Sequence, residues 1–209
     1  ITPGLNILTN VAVNGNVTAS NISAGNASFS GNVTFTGNVS LPAPTGEFAS
    51  NIVPAANLTY NIGSPTVWWN NIYGTSIHAQ YADLAERFES DTVYEAGTVV
   101  ELGGPAEITS AVEDLSDNVF GVISTRAAFV MNGSAGDDHT HPPVAVQGRV
   151  PVKVIGKVKK GDRLVSAGNG YARAGTKQEI TTWNVIGRSL ENKTTDGAGV
   201  IEAVVKLNS

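Results

Sequence analysis

Asp137-Asp138-His139-Thr140-His141 is the sharpest cluster of side chains in the chain able to hold a metal or move a proton. Histidines at i and i+2 of an extended segment point to the same side. Repeated around a three-fold axis, two per chain make a ring of imidazoles that can hold an octahedral transition metal, with His139 and His141 as ligands. The bland alternative is a polar loop ending at Pro142-Pro143, which stiffens the chain. No third ligand or general base is marked within one chain, so a monomeric hydrolytic site is not indicated.

A second chemistry is self-cleavage. It needs an activated Ser, Thr or Asn, or an acid beside a strained peptide. Asp83, Glu86, Ser124 and Thr125 are candidates by position. Read plainly, Asp83 and Glu86 are an exposed helix face, and Ser124 and Thr125 are strand-end residues. No Ser-His-Asp order, phosphate-binding glycine loop or paired-carboxylate motif stands out. With no catalytic residue or cofactor assigned, the chain reads as a non-enzyme.

The elements that must position these groups fall into two compositional halves. Residues 1–82 carry one formal charge, Glu47, and the first basic residue is Arg87. Ordinary domains carry about 25% charged residues. Gly-Asn steps recur at Gly15-Asn16, Gly25-Asn26, Gly31-Asn32 and Gly37-Asn38, with alternating runs such as Val33-Thr34-Phe35-Thr36 between them. Gly and Asn tolerate positive φ, so each pair makes a turn, and the alternation is that of a half-buried strand. Strands this short need partners. Residues 1–57 therefore read as a repetitive β-shaft, intertwined in a trimer around Val33, Phe35 and Val39; the alternative is a flexible linker. Asn-X-Ser/Thr triplets at Asn16, Asn21, Asn26, Asn32, Asn38 and Asn57 follow the repeat and read as its composition rather than as glycosylation sites.

Residues 58–92 form a Trp-rich junction. Trp68 and Trp69 need something to pack against, one facing the protomer's own core and the other a neighbour, together with Tyr73. Ile77, Tyr81, Leu84, Ala85 and Phe88 share one helical face, which predicts a short helix over 77–88. Residues 93–209 contain β-rich runs at Thr98–Leu102, Ile108–Val112, Val119–Ser124, Ala127–Met131, Val144–Gln147, Val150–Ile155, Arg163–Val165, Val185–Leu190 and Val200–Leu207. Such spacing predicts a compact β-sandwich or barrel. Pro151 places its run at an edge or a strand start, and Lys157–Asp162 reads as a solvated hairpin turn. The predicted fold class is all-β: a shaft, a junction with one helix, and a β-rich head.

Composition excludes several functions. The chain lacks cysteine, so disulfides and thiolate chemistry are absent. Net charge is −5, which gives no bulk attraction to nucleic acid or anionic membrane. No run approaches the ~18 apolar residues of a membrane span. The start at Ile1-Thr2-Pro3-Gly4 suggests one piece of a longer chain.

Ile62-Gly63-Ser64-Pro65, Trp69-Asn70-Asn71-Ile72-Tyr73 and Ala79-Gln80-Tyr81-Ala82-Asp83-Leu84-Ala85-Glu86 resemble the distal segment of tailed-bacteriophage fibre proteins, most of all those of marine and cyanobacterial phages. The resemblance continues through Val119–Ser124, His141–Ala145, Gly148–Val154 and Lys159–Val165, covering about 60–209. Part of the domain is also similar to self-cleaving chaperone domains of phage neck appendages. The resemblance implies a trimeric virion fibre or appendage, and phage fibre tips use His-X-His to hold an axial metal. The expected function is a structural subunit of a phage virion, a homotrimeric tail fibre or appendage projecting its β-domain. The expected partners are two further copies, other virion proteins and a host-surface glycan or protein, with contact through loops such as Asn132–His141 and Ala167–Gly175. The alternatives are a capsid-surface fibre or decoration protein, and a self-cleaving maturation domain.

Overall fold

The computed structural model describes residues 51–206. The Gly-Asn steps and the expected shaft contacts at Val33, Phe35 and Val39 lie outside the described residues. The chain divides after Tyr60, and the described domain, from Asn61 onward, is all-β. Its strands are β1 (Asp83–Arg87), β2 (Val99–Leu102), β3 (Ile108–Ser110), β4 (Val119–Ile123), β5 (Phe129–Met131), β6 (Pro143–Ile155), β7 (Arg163–Gly168), β8 (Tyr171–Ala174), β9 (Val185–Ser189) and β10 (Ala198–Lys206).

The long strand β6 organises the domain. Its second half alternates Val150, Val152 and Val154 inward with Arg149, Pro151 and Lys153 outward, the period that buries one face. β10 runs antiparallel along it from Ala198↔Ile155 to Lys206↔Gln147, sending Ile201, Ala203 and Val205 inward. The sheet order β10-β9-β7-β8-β6 returns to β10 through that ladder, so these five strands close a ring. The interior holds Val150, Val152, Val154, Leu164, Ala172, Ile186, Ile201 and Val205, with Val99, Val119 and Val122 from the flanking strands. The head is therefore barrel-like, and closure leaves no free edge among those five strands, whereas β3 and β5 remain edge strands. A second cluster of Val100, Ile108, Ile123 and Val144 packs under Phe88, Tyr94 and Phe120. Phe88 meets Phe120 edge-on, with ring centroids 5.0 Å apart.

Three expectations are corrected. The helix over 77–88 does not form. Asp83–Arg87 is strand β1, parallel to β5 and antiparallel to β6, with Asp83 and Ala85 buried at period two. A helix this short is marginal by itself, and two ladders with distant strands outweigh its local preference. Val144–Gln147 and Val150–Ile155 form one continuous strand through Gly148, whose φ of +110° suits glycine. The supposed loop Ala167–Gly175 contains β8, which pairs with β7 after the turn at Asn169-Gly170.

Pro151 lies mid-strand rather than at a strand start, but on a locally unpaired side of β6, as the edge alternative expects. Its neighbours on β6 show why this is tolerated. Arg149 N–H donates to Ala82 O at 3.4 Å and Lys153 N–H to Gly97 O at 2.8 Å, both on the side away from β10. The missing N–H of Pro151 falls between them, on a side where no strand pairs, so the β10 ladder loses nothing.

Candidate functional site

The break in pairing beside Pro151 opens a cavity of ≈ 280 Å³ lined by Gln80 to Asp83, Ser124 to Arg126, Arg149 to Pro151, and Glu202. The start of β1 forms one wall. Arg149 holds Ala82 O, and a Cβ on Gly148 would come within 2.2 Å of the same oxygen, so glycine permits the close approach. The end of β4 forms another wall. Ser124 N–H donates to Pro143 O at 2.8 Å, and Ala128 N–H donates to Asp83 O at 2.9 Å, closing the β4–β5 turn over β1.

These constraints join two of the sequence candidates. Ser124 Oγ donates to Asp83 Oδ2 at 2.5 Å, and both residues are buried. Thr125 is exposed on the cavity rim, whereas Glu86 is not among the lining residues. Arg126 Nη1 donates to the Tyr81 hydroxyl at 2.9 Å and its guanidinium lies 5.6 Å from that ring's centre. The Tyr81 contact raises the Arg126 pKa further above its already basic value. The cavity lining includes no histidine or lysine. The cavity thus brings together a buried, hydrogen-bonded Asp–Ser pair, with Arg126 and Arg149 also among its lining residues. Sequence reasoning proposed these residues one by one; their pairing spans 41 positions and has no local signal.

The histidine segment adopts another geometry. Residues 138–140 are a turn rather than an extended run. Asp137 Oδ1 accepts from His139 N–H at 3.0 Å, Thr140 N–H at 3.1 Å and Thr140 Oγ1 at 3.1 Å. Those bonds hold the Asp137 carboxyl below its usual range, the Thr140 backbone contributing most. Arg87 ties the loop to β1 by donating to Asp138 Oδ1 at 2.8 Å and His141 O at 2.7 Å. The same-side spacing expected for His139 and His141 therefore does not apply within the turn. Among the described residues, no group of three or more His, Asp or Glu is placed to hold a metal.

Of the junction residues, Trp68, Trp69 and Tyr73 are exposed, while Tyr81, Leu84 and Phe88 are half-buried. Neither Trp enters the protomer's own core, which corrects the expectation that one would. Trp68 Nε1 donates to Pro65 O at 3.2 Å, and Ser64 and Val67 exchange backbone bonds at 3.0 and 3.3 Å, folding the segment on itself. Phe88 belongs to the chain's own second cluster.

The chain is similar in structure to the pre-mature bacteriophage phi29 gene product 12, at 20% identity and TM-score 0.50 over 65% of this chain. The match spans 23% of that protein's length. A C-terminal fragment of the same phi29 protein aligns over its full length and 59% of this chain, at 22% identity and TM-score 0.44. The likeness at this identity is one of fold. No protein-family model matches the chain, and no curated protein matches it.

Proposed function

We propose that the chain is a structural subunit of a bacteriophage virion, working as a homotrimeric fibre or appendage that presents its β-domain distally. The observation that carries this reading is the segment before β1. Ile62, Val67, Trp68, Trp69, Ile72, Tyr73 and Ile77 are each at least 64% exposed within one protomer. Apolar surface on this scale marks an interaction site. Further copies of the same segment, wound about a common axis, would cover it. The fold shared with a phage protein supports the reading. The work proposed is mechanical and adhesive, with other virion proteins upstream and a host-surface glycan or protein beyond, and a virion as its location. An axial metal held by His139 and His141 of three such copies would require the turn at 138–140 to open, since strand alternation does not place the two imidazoles on one side there. Solution mass by light scattering tests the trimer: three times the 21.6 kDa chain supports it, and a folded monomer overturns it.

The Asp83–Ser124 pair favours a second reading, a maturation domain that cleaves its own chain near residues 75–90. The structural neighbour is a pre-mature phage protein. An intact-mass spectrum after storage separates the two readings: a single full-length chain supports the purely structural one, and a fragment boundary in that range supports self-cleavage.

A further inference from the structure

The outer face of the ring carries a row of basic residues that the fold alone aligns. Arg163 on β7 is the direct cross-strand partner of Arg188 on β9, and Arg188 is the partner of Val204 on β10. Val204 is in turn opposite Arg149 on β6, so the row continues around the barrel. Lys206 stands two residues beyond Val204 on the same side of β10. Like charges directly opposite each other on neighbouring strands are destabilising, yet Arg163 and Arg188 occupy such a pair. Among the described residues, none of Arg163, Arg188, Arg149 and Lys206 has an ion pair or side-chain hydrogen bond. The chain as a whole is acidic, so this cationic face is a local feature.

Arg163, Arg188 and Lys206 converge on one groove of ≈ 380 Å³, which Val204, Thr182 and Ile180 also line. In the loop between β8 and β9, Asp117 accepts from Thr181 Oγ1 at 3.2 Å and the Glu179 carboxylate is held by Arg173 and Thr176, so neither carboxylate pairs with the basic residues of the groove. Trp183, next to Thr182 in the same loop, is 56% exposed. The groove thus combines guanidinium forks, which match carboxylate, sulfate or phosphate oxygens, with an apolar floor and a nearby free aromatic ring. A bare inorganic ion would use only the first of these. We infer that this face of β7, β9 and β10 binds an acidic polysaccharide, with Arg163 and Arg188 clamping one oxyanion and Lys206 a second group. The site rests on strand register and stands whether or not the chain is a trimeric fibre.

The test measures binding of the full chain to dextran sulfate, to polygalacturonate and to neutral dextran, with inorganic phosphate as competitor. Binding to one or both acidic polymers and not to neutral dextran is expected, with the preferred polymer distinguishing sulfate from carboxylate. Arg163→Gln and Arg188→Gln should each weaken it roughly tenfold or more, since each removes charged hydrogen bonds. The thermal midpoint should hold or rise, because the like-charge pair is relieved. Lys159→Gln/Lys160→Gln removes two charges in the Lys157–Asp162 turn and should leave binding unchanged. Equal loss in that control would mean unspecific attraction and overturn the site, as would absence of binding. A change in solution mass on Arg188→Gln would make the face a contact between copies and overturn it equally.

Discussion

Ser124 Oγ donates a 2.5 Å hydrogen bond to Asp83 Oδ2, joining the end of β4 to the start of β1 in a buried pocket. A carboxylate buried at that depth depends on its partner. Ser124→Ala should therefore lower stability by about 1–3 kcal/mol, the cost of leaving a buried polar group unsatisfied. The urea midpoint, with an unchanged slope, measures it. Asp83→Asn keeps the shape and offers a neutral acceptor, so its loss should be smaller. Under the self-cleavage reading both variants also stay full-length.

Gly148 sits at φ +110°, and a Cβ there would lie 2.2 Å from Ala82 O. Gly148→Ala should cost more than about 1 kcal/mol, because both the backbone conformation and the approach of β1 forbid it. Gly156, at φ +80° with no atom within 4 Å of a built Cβ, serves as the comparison. Alanine there meets only backbone strain, so its thermal midpoint should fall less than that of Gly148→Ala.

Arg173 binds Asp114 through Nε and Nη2 at 2.6 and 2.9 Å, and Glu179 through Nη2 and Nη1 at 3.0 and 3.1 Å. The Arg173 bond, aided by Thr176, brings the Glu179 carboxyl from 4.5 down to about 2. Arg173 likewise lowers Asp114. A depressed carboxyl pKa stabilises the fold above the unfolded value and loses that contribution as pH falls through the folded one. The stability gap between the native chain and Glu179→Gln should be constant above pH 5 and close between about 4.5 and 2. Thermal midpoints across that range check it. Because Glu179 is at the surface, added salt should narrow the gap at every pH.

Trp68 and Trp69 are exposed in the single protomer. Trp68→Ser/Trp69→Ser should therefore leave the β-domain's thermal unfolding nearly unchanged, since neither ring fills its core. Under the fibre reading the same change should reduce solution mass toward that of one chain. A large loss of domain stability with unaltered mass would place these rings inside the protomer and remove the main support for the trimer.

What the sequence by itself determined is the set of strands with a strong local pattern. Val150, Val152 and Val154 alternate with polar residues, and Val119–Ile123 and Val200–Val205 are rich in β-branched side chains, so strands at β4, β6 and β10 were legible within a few residues. Lys157–Asp162 reads as a solvated hairpin turn, but β6 and β7 do not pair and Val158 is buried against Lys193, so only the tight turn in which Asp162 Oδ2 accepts from Lys159 N–H at 2.8 Å was legible. Only the tertiary structure decided the rest, because those features depend on partners far along the chain. Asp83–Arg87 has helical spacing, yet ladders to residues 129–131 and 143–148 make it a strand. Tyr171-Ala-Arg-Ala has no pattern of its own and becomes β8 because β7 pairs with it. Pro151 is tolerated mid-strand because, at that position, no strand pairs with the side of β6 away from β10. The Asp83–Ser124 bond and the Arg163–Arg188 pair both follow from register, which fixes the face and neighbour of every side chain and leaves no trace in local composition.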